Sequence, residues 1–164
     1  MALELLPSSM LKAIDLLPDV KTPVTLFTRH SIRELAAGQG LAGYDLQLTE
    51  QGRDLAQQWG RYLIDHTDRN IQHCISSPIQ RCVDTAVLMI EGADSSVLAQ
   101  NTHSIEIVEQ GLLVEPGSFV LDIQQAGPYF QQQGALGFIN SFVNNALPGM
   151  KHPISGVVDV LELI

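Results

Sequence analysis

A histidine flanked by two arginines follows a short apolar run near the start of the chain. Residues 23–28 are rich in β-branched and aromatic side chains, which predicts a strand, and Arg29, His30 and Arg33 come directly after it. Guanidinium groups bind phosphate oxygens in a bidentate manner, and a neutral imidazole beside them can attack phosphorus. A histidine after a strand is also often structural, so this spacing alone leaves both interpretations open.

A further arginine lies at the predicted start of a helix. Ser77 and Pro78 are typical of the N-cap and first position of a helix, which places Arg81 in its first turn. Because a helix N-terminus presents free N–H groups and the positive end of the helix dipole, this segment predicts an anion site. The alternative is an ordinary capped helix with a surface arginine.

The elements that must position these residues alternate between strands and helices. The strand at 23–28 is followed by an amphipathic helix capped by Thr49, and then by a short strand at 72–76. The helix after Ser77 and a strand at 103–108 complete the series. This alternation predicts an α/β fold with a mainly parallel sheet.

Two segments lie outside this alternation. Residues 10–17 have apolar positions at helical spacing, and Pro18 ends the predicted helix. Residues 123–150 contain no charged side chain and are rich in Gln, Gly and Asn, with apolar residues that could anchor helical turns. We interpret 119–150 as an ordered lid or insertion.

The composition excludes several classes of function. Eighteen acidic residues against nine basic ones give a formal net charge of −9, which disfavours nucleic-acid and anionic membrane partners. Nothing approaches the ~20 apolar residues of a membrane span, and the N-terminal stretch lacks the basic region of a signal peptide. Cys74 and Cys82 lie in no zinc-binding pattern. We expect a cytoplasmic protein that uses no metal or other cofactor.

Three segments together resemble a known family. TRHSIR, LTEQGRDLA and SSPIQRCVDTA are similar, in order and spacing, to the RHG, LTxxG and SSPxxRxxxTA motifs of the histidine phosphatase superfamily. The resemblance covers roughly residues 23–118. It implies a three-layer sandwich of the phosphoglycerate mutase type, with a mainly parallel sheet and flanking helices.

The resemblance also implies a role for each matching residue. His30 would be the nucleophile, and Arg29 and Arg81 would bind the phosphate; Arg33 matches the RHGxR form of the acid-phosphatase-like branch and would do the same. Glu115, in the segment LLVEPG, matches the family's LxE pattern and would protonate the leaving group. A glutamate before Pro-Gly is otherwise a solvated turn residue, and both interpretations stay open.

The sequence departs from the family pattern in two places. Ser31 replaces the glycine of RHG, which adds a Cβ and a hydroxyl beside the expected phosphate position. The family's second catalytic histidine has no match, because the only histidine after His103 is His152, in a proline-containing turn. Residues 155–164 resemble the helix that precedes the missing motif. We therefore expect residues 1–164 to form one domain that is incomplete at its C-terminus, while His66, His73 and His103 are structural or solvated.

These observations predict a phosphomonoester hydrolase that acts through a phosphohistidine intermediate. Its partners would be a small phosphorylated substrate or inorganic phosphate. The alternatives are a phospho-ligand-binding or regulatory domain without catalysis, and an inactive fragment of such an enzyme. An unpaired strand edge near the site would also allow a homodimer.

Overall fold

The computed structural model describes residues 6–35, 43–96, 98–99, 105–114 and 117–163. The chain divides into two units, Met1–Glu109 and Gln110–Ile164. The elements of the first unit are α1 (Ser8–Asp15), α2 (Glu50–Thr67), β1 (Cys74–Ser76), α3 (Gln80–Asp94) and β2 (Ile107–Glu109). The second unit contains α4 (Ile123–Val143) and α5 (Pro153–Leu161), preceded by two short 3-10 turns, Gly111–Leu113 and Gly117–Phe119.

Helix α2 begins where the sequence predicts. Thr49 is its N-cap, and the Thr49 hydroxyl accepts a hydrogen bond of 3.0 Å from the Gly52 N–H. This bond satisfies one of the donors that the first turn of a helix leaves free. On the buried face of the helix, Trp59 and Leu63 form a core cluster with Leu6. The predicted apolar stripe is therefore part of the core.

Helix α3 begins at Gln80 rather than at Pro78, where the sequence predicted its first position. Ile79 is the N-cap and has no side-chain cap. The Ser77 hydroxyl instead accepts a hydrogen bond of 3.3 Å from the Ile79 N–H, so it stabilises the turn before the helix. Arg81 still lies in the first turn, as predicted.

Helices α2 and α3 run side by side in the same direction. Near their N-terminal ends, Arg53 forms an ion pair of 2.7 Å with Asp84. Near their C-terminal ends, the hydroxyl of Ser96, just after α3, donates a hydrogen bond of 2.5 Å to Asp65. The two helices therefore direct their N-termini, and the positive ends of their dipoles, to the same side of the unit.

Two glycines allow these helices to approach closely. A Cβ built on Gly60 of α2 would overlap the carbonyl oxygen of Met89 in α3. In the same way, a Cβ on Gly92 of α3 would overlap the carbonyl oxygen of Gln57 in α2. Each helix thus contacts the backbone of the other, which a larger side chain at either position would prevent.

Strands β1 and β2 form the predicted parallel pair. In the sequence they precede and follow α3. Cys74 lies opposite Ile107, and Ser76 lies opposite Glu109. A parallel pair needs a crossover connection, which α3 provides. The sequence predicted the second of these strands at 103–108. Residues 103 and 104 lie outside the described part of the chain, residues 105 and 106 are not in the strand, and β2 ends at Glu109, one residue beyond the predicted end.

The segment 23–28 is not a strand, contrary to the prediction from its composition. Its residues are exposed, with Phe27 at 65%. A strand requires hydrogen bonds to a neighbouring strand, and the sheet within the described residues consists of β1 and β2. High β-propensity cannot supply that partner. The described residues therefore show helices and a two-stranded parallel sheet, and not the three-layer sandwich that the resemblance implies.

The second unit is built around aromatic contacts. Phe119 packs edge-on against Phe142, with ring centroids 5.3 Å apart. A Cβ on Gly156 of α5 would overlap the Phe119 ring, so this glycine lets the helix lie against the ring. An isolated antiparallel bridge joins Val120 to Met150 and closes the segment that contains α4.

Helix α4 forms most of the uncharged segment. The Asp122 carboxylate caps it by accepting a hydrogen bond of 2.9 Å from the Gln124 N–H. The helix kinks at Gly134, whose φ of 66° lies in the left-handed region that favours glycine. The segment is thus ordered as helix; its role as a lid stays a prediction. None of the helices in the described ranges is long and apolar enough to cross a membrane.

We expect Gly60→Ala and Gly92→Ala each to lower the free energy of unfolding by about 1–3 kcal/mol, because the added methyl must displace the partner helix. Intrinsic helix propensity would favour alanine by up to ~1 kcal/mol. The sign of the change in the free energy of unfolding therefore shows whether the two helices approach closely. Urea denaturation measures the change. Gly111→Ala is the control, since a Cβ there meets nothing within 4 Å; stabilisation by either helix substitution would contradict the packing.

Candidate functional site

The segment after His30 is fixed on one side by the N-terminus of α2. The carbonyl oxygen of Ile32 accepts hydrogen bonds from the Thr49 N–H at 3.0 Å and from the Thr49 hydroxyl at 3.3 Å. A Cβ on Gly52 would overlap the same carbonyl oxygen. The LTxxG motif therefore positions the residues that follow His30, with Thr49 as both helix cap and hydrogen-bond donor.

The same segment is fixed on its other side by α3. The Ser31 N–H donates a hydrogen bond of 3.1 Å to the hydroxyl of Thr85, and that hydroxyl donates one of 2.7 Å to the Arg81 carbonyl oxygen. Thr85 is 5% exposed. One buried hydroxyl thus connects the backbone beside His30 to the first turn of α3.

The imidazole of His30 has a defined proton position. Its Nδ1 lies 2.7 Å from the Ser31 carbonyl oxygen. A carbonyl oxygen can only accept a hydrogen bond, so Nδ1 holds the proton of the neutral ring. The lone pair then lies on Nε2, and Nε2 is the nitrogen available to attack an electrophile.

The surroundings of His30 favour its neutral form. Burial lowers the pKa of the imidazole most, and the positive charges of Arg81, Arg29 and Arg33 lower it further. The hydrogen bond to the Ser31 carbonyl acts in the opposite direction and raises the pKa, but the net shift is downward. Near neutral pH the ring is therefore mainly unprotonated and can act as a nucleophile.

Arg81 is a buried cation, and one of its buried donors has no partner among the described residues. The residue is only 6% exposed, and its Nη1 donates to the carbonyl oxygens of Gly43 at 3.0 Å and Leu46 at 3.5 Å. Its Nε is buried and has no hydrogen-bond partner among the described residues. A buried guanidinium without a carboxylate is costly, and an anion would supply the missing charge and acceptor.

Arg29 and Arg33 complete the positive surroundings of His30. Arg29 is exposed, whereas Arg33 is partly buried and its Nη1 donates a hydrogen bond of 2.6 Å to the Glu34 carbonyl oxygen. An isolated antiparallel bridge between Arg33 and Leu48 holds the Arg33 backbone. All three predicted phosphate-binding residues thus lower the pKa of His30 by their charge.

The proposed acid and the other histidines are described separately. Glu115 lies outside the described residues. His152 is the N-cap of α5, where its Nδ1 accepts a hydrogen bond of 3.2 Å from the Ile154 N–H. His66 stacks on Tyr62 with ring centroids 3.8 Å apart, as expected for a structural histidine. In the described ranges, no group of three or more His, Cys, Asp or Glu side chains could hold a metal ion.

Sequence reasoning missed two features of the site. The role of Thr85 was not recognised, although the residue belongs to the SSPxxRxxxTA motif that drew attention to Arg81. Nothing in the sequence indicates that Arg81 donates to the backbone carbonyls of Gly43 and Leu46, because every residue type has a carbonyl oxygen. Both features depend on contacts between residues distant in sequence.

We expect Thr85→Val to lower the free energy of unfolding by about 1–3 kcal/mol, since it leaves the Ser31 N–H without an acceptor. Thr67→Val is a matched control: the Thr67 hydroxyl bonds only to the carbonyl of Leu63, four residues earlier, as Thr85 does to Arg81. Chemical denaturation and hydrogen exchange at the Ser31 amide measure the difference. Equal losses in the two variants would show that the contact between Ser31 and Thr85 contributes nothing.

We expect an NMR titration to give His30 a pKa below about 6.5, the ordinary value for imidazole, with the proton of the neutral ring on Nδ1. Arg29→Met removes a positive charge that disfavours the imidazolium, so the His30 pKa should rise. Arg61→Met, at an exposed residue paired with Asp65, should leave the pKa unchanged. A fall in the pKa of the Arg29 variant would contradict the electrostatic argument.

Comparison with known families gives a match that covers this site. Residues 25–104 match the family model described as histidine phosphatase superfamily (branch 1). The match includes His30, the three arginines and Thr85, and it ends before Glu115 and the second unit. No curated protein matches the chain.

Proposed function

We propose that this protein hydrolyses phosphomonoesters through a phosphohistidine intermediate, because residues 25–104 match the histidine phosphatase superfamily (branch 1). Its substrate would be a small phosphorylated molecule. The observation that supports this most is the environment of His30: its Nδ1 donates to the Ser31 carbonyl, and burial and the charges of three arginines lower the pKa of the imidazole. Such a group attacks an anionic phosphoryl centre, because the arginines offset the substrate charge while the nucleophile stays unprotonated.

In the first step, His30 Nε2 attacks phosphorus and the bond from phosphorus to the leaving oxygen breaks. The ring becomes positively charged, and its Nδ1–H continues to donate to the Ser31 carbonyl, a bond that charge strengthens. Arg29, Arg33 and Arg81 neutralise the phosphoryl oxygens. Because this segment is already fixed by α2 and α3, little reorganisation accompanies the reaction.

The leaving oxygen must gain a proton, and we propose Glu115 as the acid that provides it. Water then attacks phosphorus, the bond from phosphorus to Nε2 breaks, and inorganic phosphate leaves. The carboxylate formed in the first step can accept a proton from that water, which restores both groups. This role for Glu115 comes from the resemblance of LLVEPG to the family pattern.

A second candidate function is phospho-ligand binding without turnover. The hydrogen bonds that Arg81 Nη1 makes to Gly43 and Leu46 favour it, because a donor already used within the protein contributes less to a transition state. The serine in place of the RHG glycine also favours it. Both candidates require the same anion site, so they differ only in whether the phosphoryl group is transferred.

The test uses p-nitrophenyl phosphate and the full chain. We expect release of p-nitrophenolate and a phosphoryl group on His30 that is labile in acid and stable in alkali. His30→Ala should reduce the rate by about a thousandfold or more, since the nucleophile is lost. His66→Ala is the control, because His66 stacks on Tyr62 and belongs to no part of the site.

Binding of inorganic phosphate, measured by calorimetry, separates the two candidates. Binding that Arg81→Ala weakens but Arg61→Ala does not, without turnover or phosphohistidine, would support the second candidate. Turnover that survives in His30→Ala would contradict the first. Absence of phosphate binding in the unmodified chain would contradict both.

A further inference from the structure

We propose that the hydroxyl of Ser31 donates a hydrogen bond to a phosphoryl oxygen of the bound substrate. Ser31 would then be a further substrate-binding residue, at the position where the family motif RHG has a glycine without a side chain. This inference rests on the proposed function, since it assumes that the site binds a phosphoryl group.

The first observation is that the Ser31 hydroxyl is the one unused polar group of the residue. Its N–H donates to Thr85 and its carbonyl oxygen accepts from His30. The Oγ is buried and has no hydrogen-bond partner within the described part of the chain. A buried hydroxyl without a partner costs about 1–3 kcal/mol, a cost that alanine or glycine would avoid.

The second observation is that this hydroxyl is held in place. Thr85 fixes the Ser31 N–H, and the contacts of Thr49 and Gly52 with Ile32 fix the next residue. Because the backbone on both sides of its Cβ is fixed, rotation of one side-chain torsion is the main freedom that remains. The hydroxyl is therefore limited to the rotamers about that torsion.

The third observation is a second unused donor connected to the same hydroxyl of Thr85. Thr85 accepts from the Ser31 N–H and donates to the Arg81 carbonyl, and Arg81 Nε is also buried without a partner. The two residues whose backbones bond to the Thr85 hydroxyl thus each have a buried side-chain donor without a partner among the described residues. A phosphoryl group offers several oxygens and can satisfy both.

The test measures the dissociation constant of inorganic phosphate for the full chain and its variants by calorimetry. Ser31→Ala should weaken binding by about tenfold to a hundredfold, the effect of losing a hydrogen bond to a charged group. Ser31→Thr keeps a hydroxyl and should retain most of the affinity. Ser95→Ala is the matched control, because the Ser95 hydroxyl bonds only to the Gly92 carbonyl at 2.6 Å.

Stability without phosphate distinguishes substrate binding from a structural role. If the hydroxyl forms a hydrogen bond only when a ligand is bound, Ser31→Ala should be at least as stable as the unmodified chain in phosphate-free buffer. A loss of stability there would show that the hydroxyl has a partner within the protein and would overturn the inference. Heat denaturation with and without phosphate gives both values.

The outcomes separate this inference from the proposed function. If the unmodified chain and Ser31→Ala bind phosphate equally while Arg81→Ala binds it more weakly, the role of Ser31 is wrong and the site is correct. If the unmodified chain binds no phosphate, both fail. Weaker binding in Ser31→Ala, with unchanged stability and recovery in Ser31→Thr, supports the inference.

Discussion

The close parallel packing of α2 and α3 is the constraint on which the site depends. Gly60 and Gly92 let each helix contact the backbone of the other, and the paired N-termini then lie on the same side. The segment after His30 is held between them, by Thr49 of α2 and Thr85 of α3. Larger residues at the two glycines would move the helices apart. Thr49 and Thr85, which hold the segment after His30, would then move apart as well.

The electrostatics of the site follow from this arrangement. Two helix N-termini and three arginines make the region positive in a protein whose formal net charge is −9. Positive surroundings and burial lower the pKa of His30, and the Ser31 carbonyl directs its proton to Nδ1. The same contacts therefore favour an anionic ligand and the unprotonated form of the His30 imidazole.

Not every hydrogen-bond donor of the candidate site has an acceptor within the described residues. Other polar groups of the first unit are paired, such as Arg53 with Asp84 and Ser96 with Asp65. Gln58 Oε1 is a further buried side-chain atom without a partner among the described residues. At the site, the donors of Ser31 and Arg81 are buried without acceptors. Unpaired buried donors lower stability, and the proposal that a phosphoryl group binds Ser31 is based on this cost.

The sequence by itself determined most of the local elements, whereas the chemistry of the site stays a prediction. Propensity, capping and motif spacing were sufficient to predict α2, the parallel pair β1 and β2, and the group of His30 with its arginines. They were wrong about residues 23–28, because a strand needs a partner that composition does not specify. Only the tertiary structure decided the proton position on His30, the role of Thr85 and the unpaired hydroxyl of Ser31. Each of these depends on hydrogen-bond directions, which residue spacing does not contain.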